Sequence, residues 1–224
     1  MRAGALEQAS VPLAATVVLL RESAQGAEVL LLERVDRGSF AGAWVFPGGS
    51  VDADDDDGSG DADAALRRAA VRETHEETGL HLEPHELLPL SRWHPPAEAP
   101  KRLLTSFFVA AAPAGAIALN PHEHTAWAWL RPADALAAHG RGTLRLFPPT
   151  WVTLHGLAGA RTVTEALAAL RAGAPAQFAT RFGLGGRVVF WEGDVAYGDD
   201  ALADAPGGRH RLEVGTLPWQ YRRE

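Results

Sequence analysis

The chain has 224 residues, 46% hydrophobic and 22% charged, the balance of a soluble globular protein with a sizeable core. A formal net charge of −7 argues against a broad nucleic-acid footprint, which needs a basic face. The absence of cysteine excludes disulfides, thiolate metal sites and cysteine nucleophiles.

Residues 14–21 and 27–34 are rich in leucine and β-branched side chains and predict a hairpin, with residues 22–26 as its loop. The apolar run 11–20 lacks the basic start and cleavage site of a signal sequence. No stretch reaches the length of about 20 apolar residues needed to span a bilayer, so the chain reads as cytoplasmic with no membrane partner. Residues 39–43 form a small-residue loop into a short strand, Trp44-Val45-Phe46, which Pro47-Gly48-Gly49 breaks. Residues 50–63 are polar and crowded with aspartate, the composition of a loop. Asp61 or Asp63 then caps a helix that runs to about Thr78, where Gly79 supplies a left-handed stop.

Beyond it, 87–93, 103–111 and 125–130 read as strands, and three prolines keep the linker 94–100 irregular. Residues 132–138, 148–157 and 163–171 read as helices, the last opened by a Thr162 to Glu165 capping box. From residue 187 onward, short apolar runs between Gly and Pro turns predict a few more strands. Strands alternating with helices make this a mixed α/β protein. It divides into a core over residues 1–139 and a C-terminal extension over residues 140–224, packed together as one structural unit.

The chemistry concentrates in Arg72-Glu73-Thr74-His75-Glu76-Glu77-Thr78-Gly79-Leu80. On a helix, Glu73, Glu76 and Glu77 fall within an arc of about 100°. They continue the stripe of Leu66, Ala69 and Ala70 and so should face the protein body. Like charges at this spacing repel, and a divalent cation offsets that repulsion. Carboxylate oxygens suit hard cations such as Mg²⁺ or Mn²⁺. The alternative is a solvated acidic helix face. The aspartates from Asp52 to Asp57 fit a calcium loop poorly, since Gly58 falls one place late and no helix precedes them.

The Arg72 to Leu80 stretch resembles the second half of the Nudix box, and Phe46-Pro47-Gly48-Gly49 resembles its Pro-Gly-Gly entry. The likeness extends over about residues 13–138. It implies a Nudix-type α/β/α sandwich with a mixed sheet, followed here by an extension of helices and short strands. It also implies hydrolysis of a nucleoside diphosphate linked to another group, with Glu73, Glu76 and Glu77 as metal ligands. Glu76 would be catalytic, Gly48 and Gly49 would bind substrate phosphate, and Arg72 and Gly79 would be structural. The family often adds an acidic residue from a later loop, which places Glu123 as a fourth ligand or as the general base.

The chain departs from the family pattern between Gly49 and Arg72, which lie too far apart. Counting back from Arg72 puts Ala64 where the pattern has Glu; counting forward from Gly49 puts Asp55 there. That residue normally partners the arginine, so Asp61 or Asp63 is the expected substitute. The interruption, the Phe147-Pro148-Pro149-Thr150 segment and the Leu30 to Gly49 spacing resemble the coenzyme A diphosphatase branch. Arg34 and Arg37 would then grip the ligand's extra phosphate by bidentate bonds. ADP-ribose, dinucleotide and nucleotide-sugar substrates are the alternatives, with a non-catalytic nucleotide-binding module behind them. The implied partner is a small phosphoanhydride molecule, and a homodimer is left open. Trp44, Trp93, Trp127 and Trp129 suit stacking on adenine but read first as core, and His75, His122 and His124 as solvated.

Overall fold

A computed structural model describes residues 11–37, 40–99 and 102–224. Ser39 of the small-residue loop and Pro100 of the proline linker lie outside that set.

The hairpin forms from β1 (Leu13–Ser23) and β2 (Gly26–Arg34). Its register pairs Ser23 with Gly26, so the loop expected over residues 22–26 contracts to Ala24 and Gln25. Gly26 makes this tight turn possible at φ +117°. β6 (Leu104–Ala111) lies parallel beside β1, and β5 (Leu88–His94) runs antiparallel to β6. β3 (Trp44–Val45) and β7 (His124–Leu130) both pair with β2. β4 (Gly48–Ser50) pairs with β1 where a simple break was expected. A Gly-Gly segment carries no side-chain pattern, so only its partner strand reveals it as a strand.

These strands are apolar because both faces of the sheet are covered. β1 sends Val18 and Leu20 to one face and Ala15, Val17 and Leu19 to the other, all fully buried. β2 and β6 divide in the same way, with Val29, Leu31, Phe107 and Val109 opposite Leu30, Leu32, Phe108 and Ala110. α1 (Ala62–Thr78) covers the second face with Leu66, Ala69 and Ala70. The first face is covered by α2 (Pro132–Gly140), α3 (Pro148–Leu157) and α4 (Val163–Arg171) through Ala135, Trp151, Leu154, Val163 and Ala166. The architecture is an α/β/α sandwich around a mixed eight-stranded sheet.

The C-terminal part joins this body directly. β8 (Ala176–Ala179) runs parallel to β5 and completes the order β3-β2-β1-β6-β5-β8. There Phe178 stacks on Trp93 with ring centroids 3.9 Å apart, and Trp191 meets both rings edge-on. β9 (Arg181–Gly183), β10 (Val188–Phe190), β11 (His210–Glu213) and β12 (Gln220–Arg223) form a separate four-stranded antiparallel sheet. It is pinned by a buried bidentate pair in which Arg211 donates twice to Asp194, both bonds at 2.7 Å. Asp194 also accepts the backbone N–H groups of Ala196 and His210, which meets the requirement that a buried ion pair have its remaining lone pairs used. Among the described residues no helix is long and apolar enough to cross a membrane.

Candidate active site

α1 is the element that positions the acidic residues. Asp61 caps it by accepting the N–H groups of Asp63 and Ala64, and Gly79 ends it at φ +73°. Asp63 instead pairs with Arg67 at 2.7 Å. Neither aspartate reaches Arg72, so the expected substitution fails. The partner of Arg72 is Asp55, which the forward count from Gly49 had reached. Arg72 donates Nε to Oδ1 of Asp55 at 3.1 Å and Nη2 to Oδ2 at 2.8 Å. The geometry follows from local turns: residues 53–55 form a single 3-10 turn, and Asp55 Oδ2 also accepts the Asp52 N–H at 2.8 Å.

Arg72 does more than hold Asp55. Its Nη2 reaches the Ser50 carbonyl at 3.0 Å, fastening β4 to α1. Its Nη1 lies 3.0 Å from Glu73 Oε1 and 3.1 Å from Glu76 Oε2. The repulsion among the glutamates is therefore met first by this guanidinium. Bonds to Asp55, stronger than the opposing burial, hold Arg72 above its already high range, so it is permanently charged.

The three glutamates do not share one environment. Glu77 is 1% exposed, while the side chain of Glu76 is 53% exposed and opens outward, contrary to the expectation that the whole cluster faces the protein body. Both oxygens of Glu77 are engaged: Gly48 N–H donates to Oε2 at 2.9 Å, and His124 Nε2 lies 2.9 Å from Oε1. Glu73 sits between them in exposure and lies against Gly49, where any side chain would run into its carboxylate. Gly48 is equally constrained, because a Cβ there would strike the Ala15 carbonyl and the φ of +151° favours glycine. The Gly-Gly pair is what lets β4 approach α1 this closely.

Burial lifts the Glu73 carboxyl from 4.5 to about 7, against the pull of Arg72 and with added repulsion from Glu77 and Glu76. A raised carboxyl pKa means the folded chain binds more protons than the unfolded one between those values. Its stabilising contribution is thus present below 4.5 and lost as pH rises through about 7. Glu73, as an expected ligand, would take a cation only when ionised, so protons would compete with it. Mn²⁺ affinity is expected to weaken about tenfold per pH unit below about 7 and to level off above it. Calorimetric titrations in buffers of pH 6 to about 8 check this, and Glu73→Gln should flatten the dependence. An affinity flat across that range in the parent would refute the coupling.

A second element is brought to the same place by backbone bonds. Ala118 N–H donates to the Thr78 carbonyl at 2.8 Å and Asn120 N–H to the Glu77 carbonyl at 3.1 Å. Asn120 in turn accepts the N–H groups of His122, through Oδ1, and of Glu123 and His124, through its carbonyl. The loop is thus stitched to the C-terminal end of α1. A shift in the β2–β7 register between Glu33 and Arg34 then sets His124 opposite Arg34. As a result Glu77, Glu123 and His124 offer ligand atoms that all lie within 4.8 Å of one another. Glu73 and Glu76 are held beside Arg72.

Arg34 is half-buried in β2 at this edge, and Arg37 donates Nη2 to the His122 carbonyl at 2.6 Å. Trp93 is spent in the core against Phe178, whereas Trp127 remains 43% exposed. His124 is the residue that sequence reasoning missed. It was read as a solvated loop histidine, yet it is 1% exposed. No period of two reports it, because the register shift between Glu33 and Arg34 turns His124 to the α1 face, away from the face of Ala126, Ala128 and Leu130.

The NUDIX domain matches residues 11–149, and the chain belongs to that family. A NUDIX hydrolase from Alicyclobacillus acidocaldarius is 25% identical with a TM-score of 0.64, over 75% of this chain and 100% of its own. A MutT NUDIX hydrolase from Burkholderia pseudomallei is 25% identical with a TM-score of 0.49, over 64% and 95%. A C. elegans Ap4A hydrolase is 23% identical with a TM-score of 0.49, over 73% and 100%. No curated protein matches the chain. The family and the fold make this a pyrophosphohydrolase, of a kind that acts on small phosphoanhydride molecules and typically needs a divalent metal.

Proposed function

We propose that the chain hydrolyses a nucleoside diphosphate linked to another group, with coenzyme A or an acyl-coenzyme A as substrate. The observation that carries the site is the convergence of Glu77 from α1 with Glu123 from the β7 loop, whose ligand atoms lie within 4.8 Å of each other and of His124, which meets Glu77. This donor set, with Glu73 and Glu76 on the same helix, is carboxylate and fits Mg²⁺ or Mn²⁺. When bound, the cation supplies charge neutralisation at the phosphate oxygens and acidifies bound water.

The remaining work falls to the protein. Gly48 holds Glu77 in place through its N–H. Arg72 orders the loop and fixes Glu73 and Glu76 beside it. Water adds to phosphorus, the phosphoanhydride P–O bond breaks, and two phosphate monoesters leave. The proton from water passes to a carboxylate within reach, for which Glu76 and Glu123 are the candidates. Arg34 and Arg37 at the mouth bind the substrate's phosphate. Gly48 and Gly49, expected to bind substrate phosphate, instead press against Ala15 and Glu73 and bring β4 onto α1.

The bond between Arg72 and Asp55, separated by 17 positions, supports a Nudix box interrupted after Asp55. The β5–β8 pairing supports residues 1–139 and 140–224 as one unit. Coenzyme A and ADP-ribose, offered at equal concentration with Mg²⁺ or Mn²⁺, separate the substrate readings by their phosphate-ester products. Cleavage of coenzyme A with little of ADP-ribose is expected. The reverse would replace coenzyme A with a dinucleotide or nucleotide-sugar substrate.

A further inference from the structure

We propose that His124 is a positioning residue for the metal site, holding the Glu77 carboxylate in its ligating orientation. The inference rests on the reading that Glu77 ligates the cation. His124 and Glu77 are both 1% exposed, and their Nε2 to Oε1 distance is 2.9 Å. A carboxylate only accepts hydrogen bonds, so the imidazole proton that bridges them sits on Nε2. The other ring nitrogen, Nδ1, is buried and finds no hydrogen-bond partner among the described residues. The histidine is therefore used at one atom only, the one that meets Glu77.

The second oxygen of Glu77 is held by the Gly48 N–H at 2.9 Å. Two donors arriving from opposite elements, β4 and the start of β7, fix both the position and the plane of the carboxylate. Each oxygen keeps a lone pair for a cation, since an ionised carboxylate offers about four acceptor sites. Without the imidazole, Oε1 is a buried charged oxygen facing nothing. The carboxylate then turns toward other donors, and binding a cation must first bring it back. Arg72 serves the exposed side of the cluster in the same manner through Glu73 and Glu76. The two positioning groups thus divide the helix face between them.

A purely structural histidine would only fill space, and a phenyl ring fills it as well. Glutamine carries an amide N–H about as far from Cβ as imidazole Nε2, whereas asparagine reaches only the Nδ1 position. The test is Mn²⁺ binding, read from the electron paramagnetic resonance of free Mn²⁺, on the full chain and four variants with thermal unfolding run alongside. His124→Phe and His124→Asn should weaken Mn²⁺ about 10- to 100-fold. His124→Gln should stay within about threefold of the parent.

If His124→Phe binds Mn²⁺ as the parent does while Glu77→Gln loses it, the positioning role is overturned and the metal reading stands. If Glu77→Gln binds as the parent does, the metal reading fails and the role of His124 fails with it. Should His124→Phe not fold, the Gln and Asn pair decides, and equal Mn²⁺ affinities in the two would overturn the proposal.

Discussion

Glu76→Gln should lower kcat at least about 100-fold while leaving the unfolding temperature almost unchanged. A bound cation that stabilises developing charge contributes several kcal/mol, the proposed role of Glu76 is to help hold it, and each 1.36 kcal/mol is tenfold in rate. The fold should tolerate the change because the Glu76 side chain is 53% exposed and among the described residues bonds only to Arg72, which retains Asp55, Ser50 and Glu73. Gln is isosteric but uncharged, so both the proposed ligand and the candidate base are lost at one position. Steady-state kinetics on a coenzyme A or ADP-ribose substrate, with circular dichroism melting, separates the two effects. A variant as active as the parent would remove Glu76 from the mechanism.

Arg72→Ala should act in the opposite sense, on stability first. It leaves Asp55, whose side chain is 4% exposed, as a buried charge without its partner. Breaking one side of such a pair typically costs about 3–5 kcal/mol. Urea unfolding measures that loss, and a double variant, Arg72→Met with Asp55→Leu, should recover most of it because no unpaired charge remains. Activity should stay low in both, since Glu73 and Glu76 lose the group that aligns them. An Arg72→Ala protein as stable as the parent would show the pair to be incidental.

The same pair sets an acid limit. Burial alone would raise the Asp55 carboxyl, but the bonds from Arg72 and the Asp52 N–H outweigh it and hold it below 3.8. A depressed carboxyl contributes stability that is complete above the unfolded value and lost as pH falls through the folded one. The parent should therefore shed this contribution below about pH 4, and Arg72→Ala should have much less of it to lose.

The helix that carries the glutamates was legible because its signals are local. The Asp61 cap, the apolar stripe through Leu66, Ala69 and Ala70, and the Gly79 stop all lie within a few residues of what they control. The helices over residues 148–157 and 163–171 were read correctly for the same reason. What escaped was decided across the chain. β4 exists only because β1 offers a ladder, and β8 only because β5 has an open side. The partner of Arg72 depended on where an insertion falls, and two countings of one sequence pointed to different residues. His124 was misread because its burial arises from a loop tied to α1 by backbone groups, which no side-chain pattern reports.

The pairing of β8 with β5 has a bearing on synthesis. The family match ends at residue 149, yet a strand of the main sheet comes from Ala176–Ala179. While the ribosome is still adding the residues between, β5 stands at the sheet's border with its outer N–H and C=O groups unpaired and Trp93 lacking the Phe178 ring. Such a border templates pairing with other chains. A nascent chain is thus most prone to aggregate in the interval before β8 emerges, and a gene trimmed at the family's edge would make that interval permanent.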